Sequence, residues 1–277
     1  REEEKSRATI EKYCRDVKAF LGYAGEGAAI TKETVIGYKN WLGEHYEISS
    51  ANSMLAALRK FLRCIGKEDC AVRSFRVQKE AFRGKERELK KEEYFRLLQA
   101  AGEAGDERLL MIMQAICSTG IRISELPFIT VDALQSRRAR VSLKGKTRTV
   151  LLPLELCRKL KQYARRRGVA SGSVFVTRSG RPMDRSNILH SMKRLCRRAR
   201  VEEAKVFPHN LRHLFAVTFY KEEKDICHLA DLLGHSNLNT TRIYTLISCE
   251  EQEQKLNGLG LCGGKKLPHN MDYAVTT

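Results

Sequence analysis

The sequence lacks any apolar run approaching the roughly 20 residues a helix needs to cross a bilayer, and no signal-peptide pattern opens it. These absences exclude a membrane-spanning class and point to a soluble protein. It also lacks a C-x-x-C pair. Its nine cysteines (Cys14, Cys64, Cys70, Cys117, Cys157, Cys196, Cys227, Cys249 and Cys262) are odd in number and scattered. That pattern suggests neither a disulfide framework nor a zinc site and reads as reduced core thiols in a cytoplasm. There is no Gly-rich nucleotide loop, acidic metal cluster, internal repeat or low-complexity tract, and no cofactor is predicted. The chain opens at Arg1 rather than at methionine, which leaves room for a further amino-terminal domain upstream.

What is abundant is positive charge. Lysine and arginine number 51 against 33 acidic residues, a formal balance of +18, and they fall in clusters, so a polyanionic partner is expected. At 277 residues the expectation is two domains. Ile10, Tyr13, Val17, Phe20 and Leu21 recur at helical spacing over 6–24. A second helix follows Thr31 as N-cap, with Val35, Tyr38, Trp41 and Leu42 inward, and a third follows Ser49 or Ser50, with Met54, Leu55, Leu58, Phe61, Leu62 and Ile65. "RVQKEAFRGKERELKK" then loses periodicity and reads as an exposed connection. The domain boundaries are set at 1–78, a linker at 79–88, 89–248 and a terminal segment at 249–277.

The second body opens with a helix carrying Tyr94, Leu97 and Leu98, then "RLLMIMQAICSTG", apolar enough to be buried on most sides. "ARVSLKGKTRTVLLP" alternates Val141, Leu143, Val150 and Leu152 around Gly145, as in an antiparallel hairpin with a basic tip. A basic helix follows over about 154–167, and "SGSVFVTRSGRPM" reads as a short strand and turn. Helices resume over 185–245. The fold class is mainly α with a small antiparallel sheet.

Three stretches hold candidate chemistry. Pro208 suits a helix's first turn, which puts His209 and Arg212 three residues apart on one face. "STGIRISELPF" places Arg122 just after the Gly120 bend, with Glu125 able to orient it. In "LLGHSNLNTTRIYT", Gly234 suits a helix end, Ser236 suits the cap of the next helix, and Tyr244 lies nine residues after His235. Taken singly, each has an ordinary explanation: a surface His and Arg, a surface ion pair, a packing tyrosine.

Jointly and in this order they resemble the signature of the tyrosine recombinase family, of the phage-integrase and Xer type. The strings "TGIRISEL", "LKGKTRTVLLP", "PHNLRHLFA" and "LLGHSNLNTTRIYT" carry the resemblance over roughly residues 88–248. The helical first domain is similar to the family's core-binding, DNA-clamping domain, and the second to its catalytic domain. The resemblance implies a site-specific DNA recombinase acting through a covalent 3′-phosphotyrosine, as integrase or resolvase of a mobile genetic element in a prokaryotic cytoplasm. A type IB topoisomerase and a non-catalytic DNA-binding regulator with the same fold are the alternatives.

The implied roles suit the residue types. A phosphodiester already carries negative charge and gains more at the transition state, which the planar forks of Arg122 and Arg212 can take up. Tyr244 is the implied nucleophile. Phenols ionise near pH 10, so His209 is assigned as base, while His235 donates to the phosphate. Lys144 at the hairpin tip protonates the leaving 5′ oxygen, with Lys146 as the alternative. Arg148, Lys146, Asn52, Arg59 and Arg63 are assigned to DNA contacts, together with the basic runs "SRRAR", "RKLKQYARRR" and "KRLCRRAR". Double-stranded recombination sites are the implied partner, with a tetramer assembled on two sites through the segment after residue 248.

Overall fold

The computed structural model describes residues 7–25, 27–76, 88–143, 145–177, 179–245, 253 and 256–259, with the side chains of Ala8 and Lys146 outside the description. The expected linker, apart from Glu88, and most of the expected docking segment 249–277 lie outside the described residues. The chain divides into two compact units, Arg1–Glu80 and Ala81–Thr277.

The first unit holds helices α1 (Arg7–Ala24), α2 (Lys32–His45) and α3 (Ile48–Cys64). Thr31 caps α2 as its sequence implied, Oγ1 accepting from the Thr34 N–H at 3.3 Å. Helix α3 begins at Ile48 rather than after Ser49 or Ser50, with no side-chain cap at Glu47. The core gathers Phe20, Val35, Tyr38, Leu42, Leu55, Leu58 and Leu62, each buried large side chain contributing about 1.5–3 kcal/mol. Ile10, Leu21 and Ile65 are exposed instead. The inward face of α1 is rotated toward Asp16, which is buried and paired with Lys12. Charge pairing inside an apolar stripe shifts the face in a way that counting apolar residues misses.

Two of the expected DNA contacts are used internally here. Both ends of the Asn52 amide are engaged with the Phe75 backbone: Nδ2 donates to its carbonyl at 3.1 Å, and Oδ1 accepts from its N–H at 2.8 Å. Arg59 Nη2 donates to Val72 O and Ser74 Oγ, both at 3.2 Å. These two side chains brace the segment leaving α3. Arg63 is exposed, with Nε 3.3 Å from Glu68 Oε1.

The second unit contains α4 (Lys91–Glu103), α5 (Glu107–Thr119), α6 (Val131–Ser136), β1 (Arg138–Leu143), β2 (Lys146–Leu151), α7 (Leu154–Arg166), α8 (Arg185–Ala199), α9 (Pro208–Glu223), α10 (Ile226–Leu233) and α11 (Leu238–Thr241). Helix α5 is central: Leu109, Met111, Ile112, Met113, Ala115 and Ile116 are all buried. The strands pair antiparallel with Val141 opposite Arg148. Ala139, Val141 and Val150 point inward, whereas Leu143, two residues on from Val141 in the alternating pattern, is exposed near the tip. Among its described residues, "SGSVFVTRSGRPM" forms no strand of a sheet, only the isolated bridges Thr130↔Ser173 and Val176↔Pro182; its Val174 and Phe175 are nonetheless buried. The fold is mainly helical with one two-stranded antiparallel sheet among the described residues.

The cysteines divide differently from expectation. Cys70, Cys157 and Cys196 are buried, Cys117 is half-buried, and Cys14, Cys64 and Cys227 are exposed; all seven are free thiols. Among the described residues, no helix is long and apolar enough to cross a membrane.

Candidate active site

Helix α5 ends at Gly120 in the left-handed region, φ +63°. A Cβ there would sit 2.5 Å from Phe215 Cδ1 and 2.9 Å from Leu233 Cδ2. Conformation and close packing both demand glycine. The chain emerges as Arg122, which begins a 3-10 turn over Ile123–Phe128. Glu125 holds it twice: Oε2 accepts from the Arg122 backbone N–H at 2.9 Å, and Oε1 accepts from Nη1 at 3.0 Å. The Arg122 side chain keeps 40% of its surface open, enough to meet a ligand from solvent.

Glu125 itself is buried. Desolvation is the largest single influence on its carboxyl and would raise its pKa, yet the hydrogen bond from Arg148 and the bonds from Arg122 together hold it below the usual value. Arg148 supplies Nη2 to Oε2 at 2.6 Å and Nε to Oε1 at 3.4 Å. Its Nη1 donates to Leu232 O at 2.7 Å. Expected at a DNA contact, Arg148 instead has three nitrogens engaged inside the protein and 16% of its side chain exposed, so in this structure it braces the fold from within.

Arg212 comes from the first turns of α9, which Pro208 opens at its N-terminus. The guanidinium is 2% exposed. It donates through Nη1 to Gly120 O and through Nη2 to Leu233 O at 2.8 Å. These carbonyls end α5 and α10, where the helix dipoles favour a cation. Burial, and secondarily Arg122, pulls its pKa down to about 10, which leaves it charged at neutral pH.

The bend carrying His235 follows Gly234, at φ +63°. The cap of α11 is Asn237, not Ser236: Asn237 Oδ1 accepts from the Asn239 N–H at 2.8 Å. His235 Nε2 lies 3.0 Å from Arg212 Nη2, and Nδ1 lies 2.9 Å from Thr241 Oγ1. A guanidinium only donates, so Nε2 accepts, and the neutral ring carries its proton on Nδ1, facing Thr241. The expected His235 donor to a phosphate is therefore not presented here, because both ring nitrogens are occupied.

Desolvation first, then Arg212, Arg122, Arg148 and His209, lowers the His235 pKa from 6.5 to about 4. The unfolded chain thus binds this proton more readily than the folded one. Stability from this group is full above about pH 6.5 and is lost as pH falls toward 4. Solvent screening at a half-buried ring limits the loss to about 1–2 kcal/mol. Thermal melts between pH 7.5 and 4.5 should show it, and His235→Asn should remove that part of the acid sensitivity.

His209 is exposed on the rim. Its pKa is lowered by desolvation from the surrounding protein first, then by Arg212 and Arg122, which favours the neutral ring a base requires. Tyr244 lies not in a full helix but in a 3-10 turn, Arg242–Tyr244, after α11. Its ring is 3% exposed and packs with Ala216, Leu229 and Leu233. It stacks on His235 with centroids 6.2 Å apart and planes at 15°, and meets His213 at 5.1 Å.

Arg122, Arg212 and His235 are thus linked through hydrogen bonds or mutual electrostatics, His209 lies within electrostatic reach, and Tyr244 adjoins His235. Lys144 lies outside the described residues, as does the Lys146 side chain. Reading the sequence missed Arg148 as a strut and Thr241 as the partner of His235; a charge at a hairpin and a threonine in a polar run carry no local signal of either.

Residues 87–251 match the phage integrase family, and residues 1–68 match the phage integrase N-terminal SAM-like domain. The chain belongs to the phage integrase family. It is 31% identical over 256 residues to the tyrosine recombinase XerA of Thermococcus kodakarensis, covering 90% of this chain and 88% of that relative. The crystal structure of XerA recombinase aligns at a TM-score of 0.53 with 26% identity over 95% of both chains. The Tn1549 transposon integrase in complex with circular intermediate DNA shares the fold, at a TM-score of 0.71 and 17% identity over 91% of this chain and 94% of that one. This member of the family is a tyrosine recombinase, an enzyme that cleaves and rejoins DNA strands.

Proposed function

We propose that the chain exchanges strands between specific duplex sites, with Tyr244 as its nucleophile. The observation that supports this reading is the bond of Arg212 to His235, whose ring stacks on Tyr244 of the same chain, with Arg122 within electrostatic reach of both Arg212 and His235. Arg122 and Arg212 neutralise the non-bridging oxygens of the scissile phosphate. The Tyr244 oxygen attacks phosphorus in line and loses its proton to His209, forming a 3′-phosphotyrosine. The 5′ oxygen leaves with a proton from Lys144, or from Lys146. Because the phosphoester bond is conserved, a 5′ hydroxyl from a second strand reverses the step without a nucleotide cofactor.

The buried phenol must move outward with its 3-10 turn when DNA is bound. A phosphate seated on Arg212 also frees His235 Nε2, and its negative charge favours a second proton on the imidazole, turning that nitrogen into a donor. Arg63 and the basic runs are the proposed backbone contacts, in keeping with the formal charge of +18. The finer reading is a cytoplasmic prokaryotic enzyme of a mobile element, assembling as a tetramer on two sites through the segment after residue 248.

Incubating the chain with a plasmid bearing two copies of its footprinted site tests this. Exchange products between the sites are expected. Relaxed plasmid without exchange indicates a topoisomerase, and binding without either product indicates a regulator.

A further inference from the structure

Arg148 lies outside the proposed chemistry yet joins its parts. Its fork grips the carboxylate that also fixes Arg122, its Nη1 holds the Leu232 carbonyl at the end of α10, and its stem crosses Gly234, where a Cβ would overlap Cδ and approach Nε at 2.9 Å. On β2 it stands opposite Val141, whose side chain is buried, so its backbone is held by the sheet. Three pieces meet at one side chain: the turn bearing Arg122, the strand running from the lysine-bearing hairpin tip, and the bend bearing His235.

We propose that Arg148 is a positioning residue that sets the registry of Arg122 and of the Gly234–His235 bend for strand cleavage, and does not bind DNA itself. The inference rests on the cleavage reading above. Glycine at 234 belongs to the same device: the left-handed bend and the absence of a Cβ let the arginine stem lie across it. A lysine cannot replace the fork, because one ammonium cannot span both carboxylate oxygens and the Leu232 carbonyl.

Arg148→Met keeps much of the stem and removes the fork, while Arg148→Lys keeps the charge. With a nicked duplex carrying the footprinted site, single-turnover adduct formation at saturating DNA should fall about 10- to 100-fold in both variants. DNA affinity and the slope of its salt dependence should stay at wild-type values. A phosphate contact would instead weaken binding and reduce that slope by about 1. In a Glu125→Gln background, Arg148→Met should cost much less than it does alone, since part of its effect passes through that carboxylate. The His235 imidazole, followed by NMR, should titrate at higher pH in Arg148→Met than in Arg148→Lys, a difference that loss of packing common to both would not produce.

Melting curves separate unfolding from mispositioning, and the lysine variant covers the case in which the methionine variant unfolds. Wild-type cleavage rates in both variants, or losses confined to affinity, overturn the inference. Absence of any adduct with the unmodified chain overturns the cleavage reading instead.

Discussion

Tyr244→Phe is expected to form no covalent adduct with a nicked duplex carrying the recombination site, whereas the unmodified chain is expected to accumulate one. The substitution removes a single oxygen. The phenylalanine ring still fills the space among Ala216, Leu229 and Leu233 and still stacks on His235, so folding and DNA affinity are preserved. Nothing replaces the lost nucleophile, and the loss is therefore expected to exceed about 10³-fold, more than removal of one transition-state donor costs. Denaturing gels that resolve protein joined to labelled DNA provide the measurement. Equal adduct from both proteins would falsify the assignment of Tyr244.

Arg212→Lys should lower cleavage at saturating DNA by about 10²–10³-fold, the range found when a preorganised donor to a developing charge is removed. The guanidinium is held by Gly120 O, Leu233 O and His235 Nε2 together. A single ammonium cannot satisfy these separated acceptors, and a buried carbonyl left without a donor costs about 1–3 kcal/mol. A lower melting temperature should accompany the kinetic loss. The charge survives the substitution, so DNA affinity should change little. Quench-flow cleavage rates with parallel melts check both parts, and a rate within fivefold of the unmodified chain would sink the clamp assignment.

Much of this was legible in the chain. Periodicity located the helices, because a 3.6-residue repeat of apolar side chains is a property of neighbouring residues. Gly120 and Gly234 announced helix ends, Pro208 a helix start, and Glu125 its grip on Arg122 three residues away. The face of α1 was less legible. It turns on the burial of Asp16 beside Lys12, a choice made by packing rather than by apolar count.

The sequence alone determined the chemistry available: two arginine motifs, two histidines, a hairpin lysine and one tyrosine in an order that resembles a single family. It also determined a strongly basic surface suited to a polyanion. Only tertiary structure decided which of the candidate polar side chains face outward. Arg122 remains partly open, Arg212 is buried on two helix ends, and Arg148, Asn52 and Arg59 are turned to internal partners. It also decided that His235 accepts from Arg212 and that Tyr244 is covered. The physical reason is that hydrogen-bond partners 23 or 84 positions away, such as Glu125 and Leu232 for Arg148, leave no mark in local sequence. A guanidinium's role is set by the acceptors that folding brings within 3 Å or so of it.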